Sequence, residues 1–118
     1  MSYDIHLYRA EVKDRHIVSK NDNFFENENN IVPFSQQQFD NLKGRLIRYG
    51  YFIENETVRQ VSFGFKKDKG TSALLTDNCL SFASGGDGIF EISMTASEFT
   101  DTGEYKKYDP QDGGWEEI

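Results

Sequence analysis

The segment 34–50, FSQQQFDNLKGRLIRYG, is the one stretch of the 118-residue chain that carries a full set of helix signals. Ser35 is a favourable N-cap, because its hydroxyl can accept a hydrogen bond from an unpaired N–H of the first turn. Gln38 completes a capping box, and Gly50 suits the left-handed position after a helix. The apolar residues recur every three or four positions and predict one apolar face: Phe39, Leu42, Leu46 and Tyr49. One helix buries little surface alone, so it needs a sheet to cover.

Strands are predicted on both sides of this helix. Residues 3–9 alternate between apolar and polar side chains, which is typical of a half-buried strand. Further strands are predicted from the same pattern and from the turn residues between them: 51–54, 58–66, 71–76, 79–83 and 89–95. The two-residue turn Asp77-Asn78 predicts that Leu75 pairs with Leu80 and Ala73 with Phe82.

In the predicted strand 89–95, Phe90, Ile92 and Met94 are expected to face inward. Together the elements predict an α+β fold, an antiparallel β-meander of five to six strands packed on one face by a single main α-helix. The length suits a single domain, residues 1–118. Within it, 11–33 is predicted to be a surface excursion pinned by Phe24 and Phe25, with a short strand at 16–19. Residues 100–118 form an acidic C-terminal segment.

The net charge of −7 is located at one end of the chain. Acids and bases balance from residue 1 to 86, whereas 87–118 contain nine acids against two lysines. Nucleic acid and anionic membranes both require a basic face, so neither is expected as a partner. A basic protein partner fits this charge, and solubility alone also explains it.

No residue pattern predicts catalysis, a cofactor or a metal. His6 and His16 are the only imidazoles, and they lack further ligands at metal-site spacing. Cys79 has no basic neighbour in the sequence and is expected to be a small packed residue. We therefore expect a protein that is not an enzyme. One cysteine, no leader sequence and no apolar stretch of about 18 residues indicate the cytoplasm and no membrane span.

The candidate partner-binding residues combine acids with aromatic side chains that have a polar atom. Such aromatics are enriched at interface hot spots, and surrounding acids favour encounter with a basic partner. The candidates lie in the acidic part of the chain: Asp87, Asp101, Glu104, Tyr105, Tyr108, Asp109, Asp112 and Trp115. In the alternative interpretation, the aromatics anchor the C-terminal segment to the sheet while the acids face water.

Three stretches support a family resemblance: YDIHLYR at 3–9, VPFSQQQFDNLKGRLIRYGY at 32–51, and GIFEISMTASEFTDTGEYKKYDPQDGGWE within 88–116. They resemble segments of small acidic immunity proteins of bacterial contact-dependent growth inhibition and polymorphic toxin systems. The resemblance implies a cytoplasmic, non-enzymatic protein that binds and neutralises a cognate toxin domain, often a basic nuclease. It assigns no individual binding residue.

Two other classes of function stay open on the sequence. A small enzyme or ligand-binding domain could assemble its site only in three dimensions, and would have a concave pocket with convergent polar groups. An assembly module of a larger bacterial complex would expose a large apolar patch. The oligomeric state is not indicated by any feature of the sequence.

Overall fold

A computed structural model of the chain describes residues 3–19, 24, 31–58, 60–66, 68–85, 89–109 and 114–115. The chain begins with strand β1 (Tyr3–Arg9), followed by helices α1 (Ala10–Ser19) and α2 (Gln36–Arg48). Four strands come next: β2 (Tyr51–Glu56), β3 (Gln60–Phe65), β4 (Asp68–Thr76) and β5 (Leu80–Ser84). Helix α3 (Ile89–Phe99) leads through a 3-10 turn (Thr100–Thr102) into β6 (Tyr105–Asp109) and β7 (Gly114–Trp115).

The described strands form one antiparallel sheet in the order β2-β3-β4-β5-β1-β6-β7. Six of them have five to nine residues, and β7 has two. Strands β2 to β5 are consecutive hairpins, whereas β1 lies between β5 and β6. The predicted α+β class is confirmed, and the segment after residue 100 adds β6 and β7 to the sheet.

Helix α2 begins with the predicted capping box. The Ser35 hydroxyl accepts a hydrogen bond from the backbone N–H of Gln38 (3.1 Å), and the Gln38 side chain accepts one from the Ser35 N–H (2.9 Å). Leu42 and Leu46 are buried against the sheet. Gly50 has a φ of +102°, the left-handed conformation predicted for it.

The β4–β5 hairpin has the predicted register. Leu75 pairs with Leu80 and Ala73 with Phe82, and all four side chains are buried. They belong to the main core, which lies between one face of the sheet and helices α2 and α3. The register is fixed because a two-residue turn leaves only one pairing that places these apolar side chains on one face.

The predicted strand at 89–95 is wrong, because this segment begins helix α3. Ile92, Ala96 and Phe99 are spaced by four and three residues, and each is fully buried. Met94, expected to face inward with Ile92, is 46% exposed on the other side of the helix. The side chain of Phe90 lies outside the described residues.

The excursion after β1 contains a helix rather than the predicted strand at 16–19. Helix α1 lies on the opposite face of the sheet from α2 and builds a second, smaller core. Its buried members are Val12, Phe24 and Ile31, and Tyr8, Val32 and Trp115 pack against them. The expectation that Phe24 anchors this segment therefore agrees with its burial, and Phe25 lies outside the described residues.

Candidate partner-binding surface

An exposed acidic turn joins helix α3 to strand β6. We define it as residues 98–104, which include the exposed acids Glu98, Asp101 and Glu104. Gly103 closes the turn with a φ of +79°, which favours glycine, and its N–H donates to the carbonyl oxygen of Thr100 (3.1 Å). The backbone therefore presents three carboxylates within seven residues.

Helix α2 holds this acidic turn at both of its ends. The Arg45 guanidinium donates to Oδ1 of Asp101 (3.3 Å) and to the carbonyl oxygen of Glu98 (3.4 Å). Two helical turns earlier, Nε2 of Gln38 donates to Oε2 of Glu104 (3.0 Å). Side chains seven residues apart lie on the same helical face, so one stripe of α2 contacts the whole turn.

Arg45 itself is held against the core. Its guanidinium carbon lies 4.4 Å from the centre of the Phe99 ring, which is the geometry of a cation–π contact. Its side chain is 14% exposed, whereas that of Asp101 is 61% exposed. Burial alone would lower the pKa of Arg45, but hydrogen bonds to Tyr49 and Asp101 outweigh it and raise that pKa above its ordinary value.

A polar cleft of about 420 Å³ lies between the first half of α2 and the acidic turn. The side chains that line it supply amide, hydroxyl and carboxylate oxygens as hydrogen-bond acceptors, together with the Arg45 guanidinium. They include the following residues: Gln37, Gln38, Asn41, Arg45, Thr102 and Glu104. Such a cleft is suited to a polar or charged side chain of a partner rather than to an apolar ligand.

Two of the predicted partner-binding residues face the core instead of solvent. Strand β6 alternates buried and half-buried positions, and Tyr105 (1% exposed) and Asp109 (8% exposed) are on its buried side. The Tyr105 ring packs edge-on against Phe34, with centroids 5.7 Å apart. Both residues are therefore corrected to buried positions, although Tyr105 also borders the cleft.

Tyr108 and Trp115 lie together on the other face of the sheet, at its β6–β7 edge. Their rings are 5.0 Å apart, and Trp115 also contacts Tyr8 at 5.9 Å. The indole N–H of Trp115 donates to Nδ1 of His16 in α1 (2.9 Å). Both side chains are half-buried, and their contacts match the alternative in which aromatics anchor the C-terminal segment.

The structure thus brings together only part of the predicted site. Asp101 and Glu104 share the exposed turn, while Asp87 and Asp112 lie outside the described residues. Sequence reasoning missed that Glu98, Gln38 and Arg45 belong to the same surface. Arg45 and Asp101 are 56 positions apart in the chain, and no local pattern signals a contact of that separation.

A polar cluster around His6 lies on the sheet face opposite α2. Nδ1 of His6 is 2.9 Å from the Ser81 hydroxyl and 3.9 Å from the sulfur of Cys79. Burial raises the pKa of the Cys79 thiol, which disfavours the nucleophilic thiolate. Among the described residues, no three His, Cys, Asp or Glu side chains are grouped so that they could hold a metal ion.

His6 makes the stability of the fold depend on pH. Burial lowers its pKa below the ordinary 6.5, and the carboxylates of Asp4 and Asp109 oppose this only in part. The unfolded chain therefore binds a proton more readily than the folded chain, so stability is expected to fall as the pH drops below 6.5. His6→Gln should remove this contribution, which urea unfolding between about pH 8 and pH 5 measures.

The pH series contains its own control. Near pH 8 the imidazole is neutral in both states, so any difference between His6→Gln and the wild type reports the lost contact with Ser81. As the pH falls, the free energies of unfolding of the wild type and of His6→Gln should then converge or cross. A constant difference across the series would contradict the assignment of this pH dependence to His6.

Another concavity among the described residues is a groove of about 1030 Å³ beside α1. Arg15, residues 31–34 and the turns at Val58 and 76–78 line it, and Asp77 is the only carboxylate in that lining. The described residues of this lining therefore supply no pair of acids of the kind that many hydrolytic sites use. No helix in the described part of the chain has the length and apolar character needed to cross a bilayer.

Comparison of the chain with protein-family models, with curated proteins and with solved structures finds no match. The features of the chain that bear on its function are the surface described above, the distribution of charge and the resemblance of the sequence stretches 3–9, 32–51 and 88–116.

Proposed function

We propose that this chain is an immunity protein that binds a cognate bacterial toxin domain, a basic nuclease, and neutralises it in the cytoplasm. The observation that carries the proposal is the acidic turn, in which α2 holds three exposed acids in place: Glu98 at the end of α3, and Asp101 and Glu104 after it. The net charge of −7 and the resemblance to immunity proteins support the same class of function.

The proposed mechanism is occlusion of the substrate site. A nuclease binds the phosphate backbone through Lys and Arg side chains, so a carboxylate surface of matching geometry competes for the same cations. Opposite charge on the two proteins also speeds their encounter. The immunity protein would need no chemistry of its own, because blocking access to nucleic acid is sufficient to protect the cell.

The direct test expresses the C-terminal domain encoded by the open reading frame immediately upstream, which the proposal expects to be a basic toxin domain. We expect one equivalent of this protein to abolish the activity of that domain on its nucleic acid. Because exposed charges contribute, affinity should weaken when NaCl rises from about 0.05 M to about 0.5 M. Isothermal titration calorimetry and a nuclease assay at both salt concentrations measure these effects.

A catalytically inactive mutant of the toxin domain that keeps its basic charge is the matched control and should bind with unchanged affinity. Undiminished nuclease activity at a threefold excess of this protein would contradict the proposal. So would turnover of a substrate by this protein without any partner.

A further inference from the structure

We propose that Arg45 and Gln38 of α2 are positioning residues that order the acidic turn for a guanidinium group of the partner. The inference rests on the proposed function, because it concerns the same surface. It is not what net charge alone predicts, since Arg45 is a cation placed within an anionic site. Its contribution would come from the geometry that it imposes on the carboxylates.

The contacts of Arg45 restrain the turn at several points. The guanidinium stacks on the Phe99 ring, with its carbon 4.4 Å from the ring centre. It also donates hydrogen bonds to Oδ1 of Asp101 and to the Glu98 carbonyl oxygen. A planar guanidinium carries five donors in a fixed arrangement, so it can hold two acceptors at once while stacked on a ring. The exposed Asp101 carboxylate is thereby restrained by a side chain that is mostly buried.

Gln38 restrains the other end of the turn in the same way. One end of its amide closes the capping box with the Ser35 N–H, which fixes its orientation, and the other end donates to Oε2 of Glu104. The described hydrogen bonds to these carboxylates use Oδ1 of Asp101 and Oε2 of Glu104, which leaves the second oxygen of each carboxylate without a hydrogen bond among the described residues. Two held carboxylates suit a branched donor better than a single ammonium.

Ordering before binding increases affinity because the entropic cost of fixing these side chains is met during folding. Each immobilised side chain costs about 0.5–1.5 kcal/mol at an interface, so loss of one restraint should weaken binding roughly three- to tenfold. Long-range electrostatic attraction alone predicts the opposite change in affinity. Removal of a cation makes the surface more negative, so a basic ligand should bind more tightly.

Arg48 supplies the matched control for Arg45. It is on the same helix, is exposed, and has the same charge, so Arg45→Met and Arg48→Met change the net charge equally. The probe is a hexa-arginine peptide, with hexa-lysine as the comparison, titrated into the labelled full chain and followed by backbone NMR shifts. We expect wild-type binding at residues 98–104, binding about tenfold weaker for Arg45→Met than for Arg48→Met, and weaker binding of hexa-lysine.

Gln38→Ala and Arg45→Lys extend the test. Gln38→Ala leaves the net charge unchanged, so long-range electrostatic attraction predicts no change in affinity. Loss of the hydrogen bond that positions Glu104 predicts a decrease in affinity. Arg45→Lys restores the charge and should recover part of the affinity. Amide exchange at Gly103 and Glu104 should quicken in Arg45→Met and not in Arg48→Met, because their N–H groups bond within the turn.

The outcomes separate this inference from the proposed function. If the wild type binds hexa-arginine at the turn but Arg45→Met binds as tightly as Arg48→Met, the positioning role is wrong and the surface stands. If the peptide shifts no residue of the turn in the wild type, the surface fails and the inference fails with it. If Arg45→Met does not fold, the affinity of Gln38→Ala for hexa-arginine decides the question. A decrease supports the positioning role, and an unchanged affinity contradicts it.

Discussion

Replacing Phe99 with alanine is expected to lower the free energy of unfolding by about 3–5 kcal/mol, the usual cost of truncating a buried aromatic side chain. Phe99 is fully buried at the end of α3, where its ring contacts Phe82 of the sheet (6.3 Å) and Tyr49 after α2 (5.4 Å). These contacts join the helices to the sheet, so the cavity would lie where three elements meet. Urea unfolding followed by circular dichroism measures the change.

The same substitution should also disturb the acidic turn, because the ring is the support of Arg45. Phe52→Ala is the matched control: Phe52 lies on edge strand β2 and is 40% exposed, so its loss should cost much less. Phe99→Leu retains most of the apolar volume and should cost less than about 1.5 kcal/mol. Equal destabilisation by the two alanine substitutions would contradict the central position assigned to Phe99.

The parts of the fold that the sequence predicts correctly depend on local signals. The Ser35–Gln38 capping box and the residues around the Asp77-Asn78 turn act within a few positions of the chain, and the structure has both. Strand β1 is confirmed for the same reason, since its alternation is visible within seven residues. No long-range information is needed to place these elements.

The segment 89–99 shows where local signals are insufficient. Its apolar residues fit a period of two through Ile92 and Met94, and a helical period through Ile92, Ala96 and Phe99. A short apolar run cannot be assigned by periodicity alone, because both patterns share several positions. The sheet decides the outcome: β1 already occupies the place beside β5, so this segment covers the sheet as a helix.

The candidate site could be predicted only in part, because local sequence signals do not show which side chains are exposed. Charge counting located the acids along the chain, but it could not tell which side of β6 faces water. Lys107 lies on the buried side, where its ammonium donates to the Ser93 carbonyl oxygen (3.2 Å) and to the hydroxyls of Ser93 (2.8 Å) and Ser97 (3.0 Å). These acceptors in α3 match its three donors, which makes burial of the charge tolerable.

Because Lys107 faces α3, alternation along β6 also turns Tyr105 and Asp109 toward the helices. A lysine at a buried strand position is rare, so the sequence alone favours the opposite orientation of this strand. The serines that make it possible are 10 and 14 positions away, in a segment whose secondary structure was itself predicted wrongly. No strand is predicted after residue 100, so no alternation was available to show that Tyr105 and Asp109 are buried.

The largest effect on function is expected from reversing Asp101 and Glu104, the two sequence-predicted acids that lie on the exposed turn. Asp101→Lys with Glu104→Lys should weaken binding of the toxin domain at least about 100-fold and abolish protection in co-expression, because disrupting a charge pair that is buried in such an interface costs about 2–5 kcal/mol. Calorimetry and growth of cells producing both proteins measure these two results. Thermal unfolding of the variant verifies that it folds, since Lys at 101 would face Arg45.

The control for this double reversal is Asp14→Lys with Glu54→Lys, which changes the net charge by the same amount at exposed positions of α1 and β2. If the acidic turn is the contact surface, the control should weaken binding only slightly, through the loss of long-range attraction, and that remainder should vanish at high salt. Equal losses in the two variants would mean that the partner senses the overall charge of the protein. Full protection by the Asp101 and Glu104 reversals would place the interface elsewhere on the molecule.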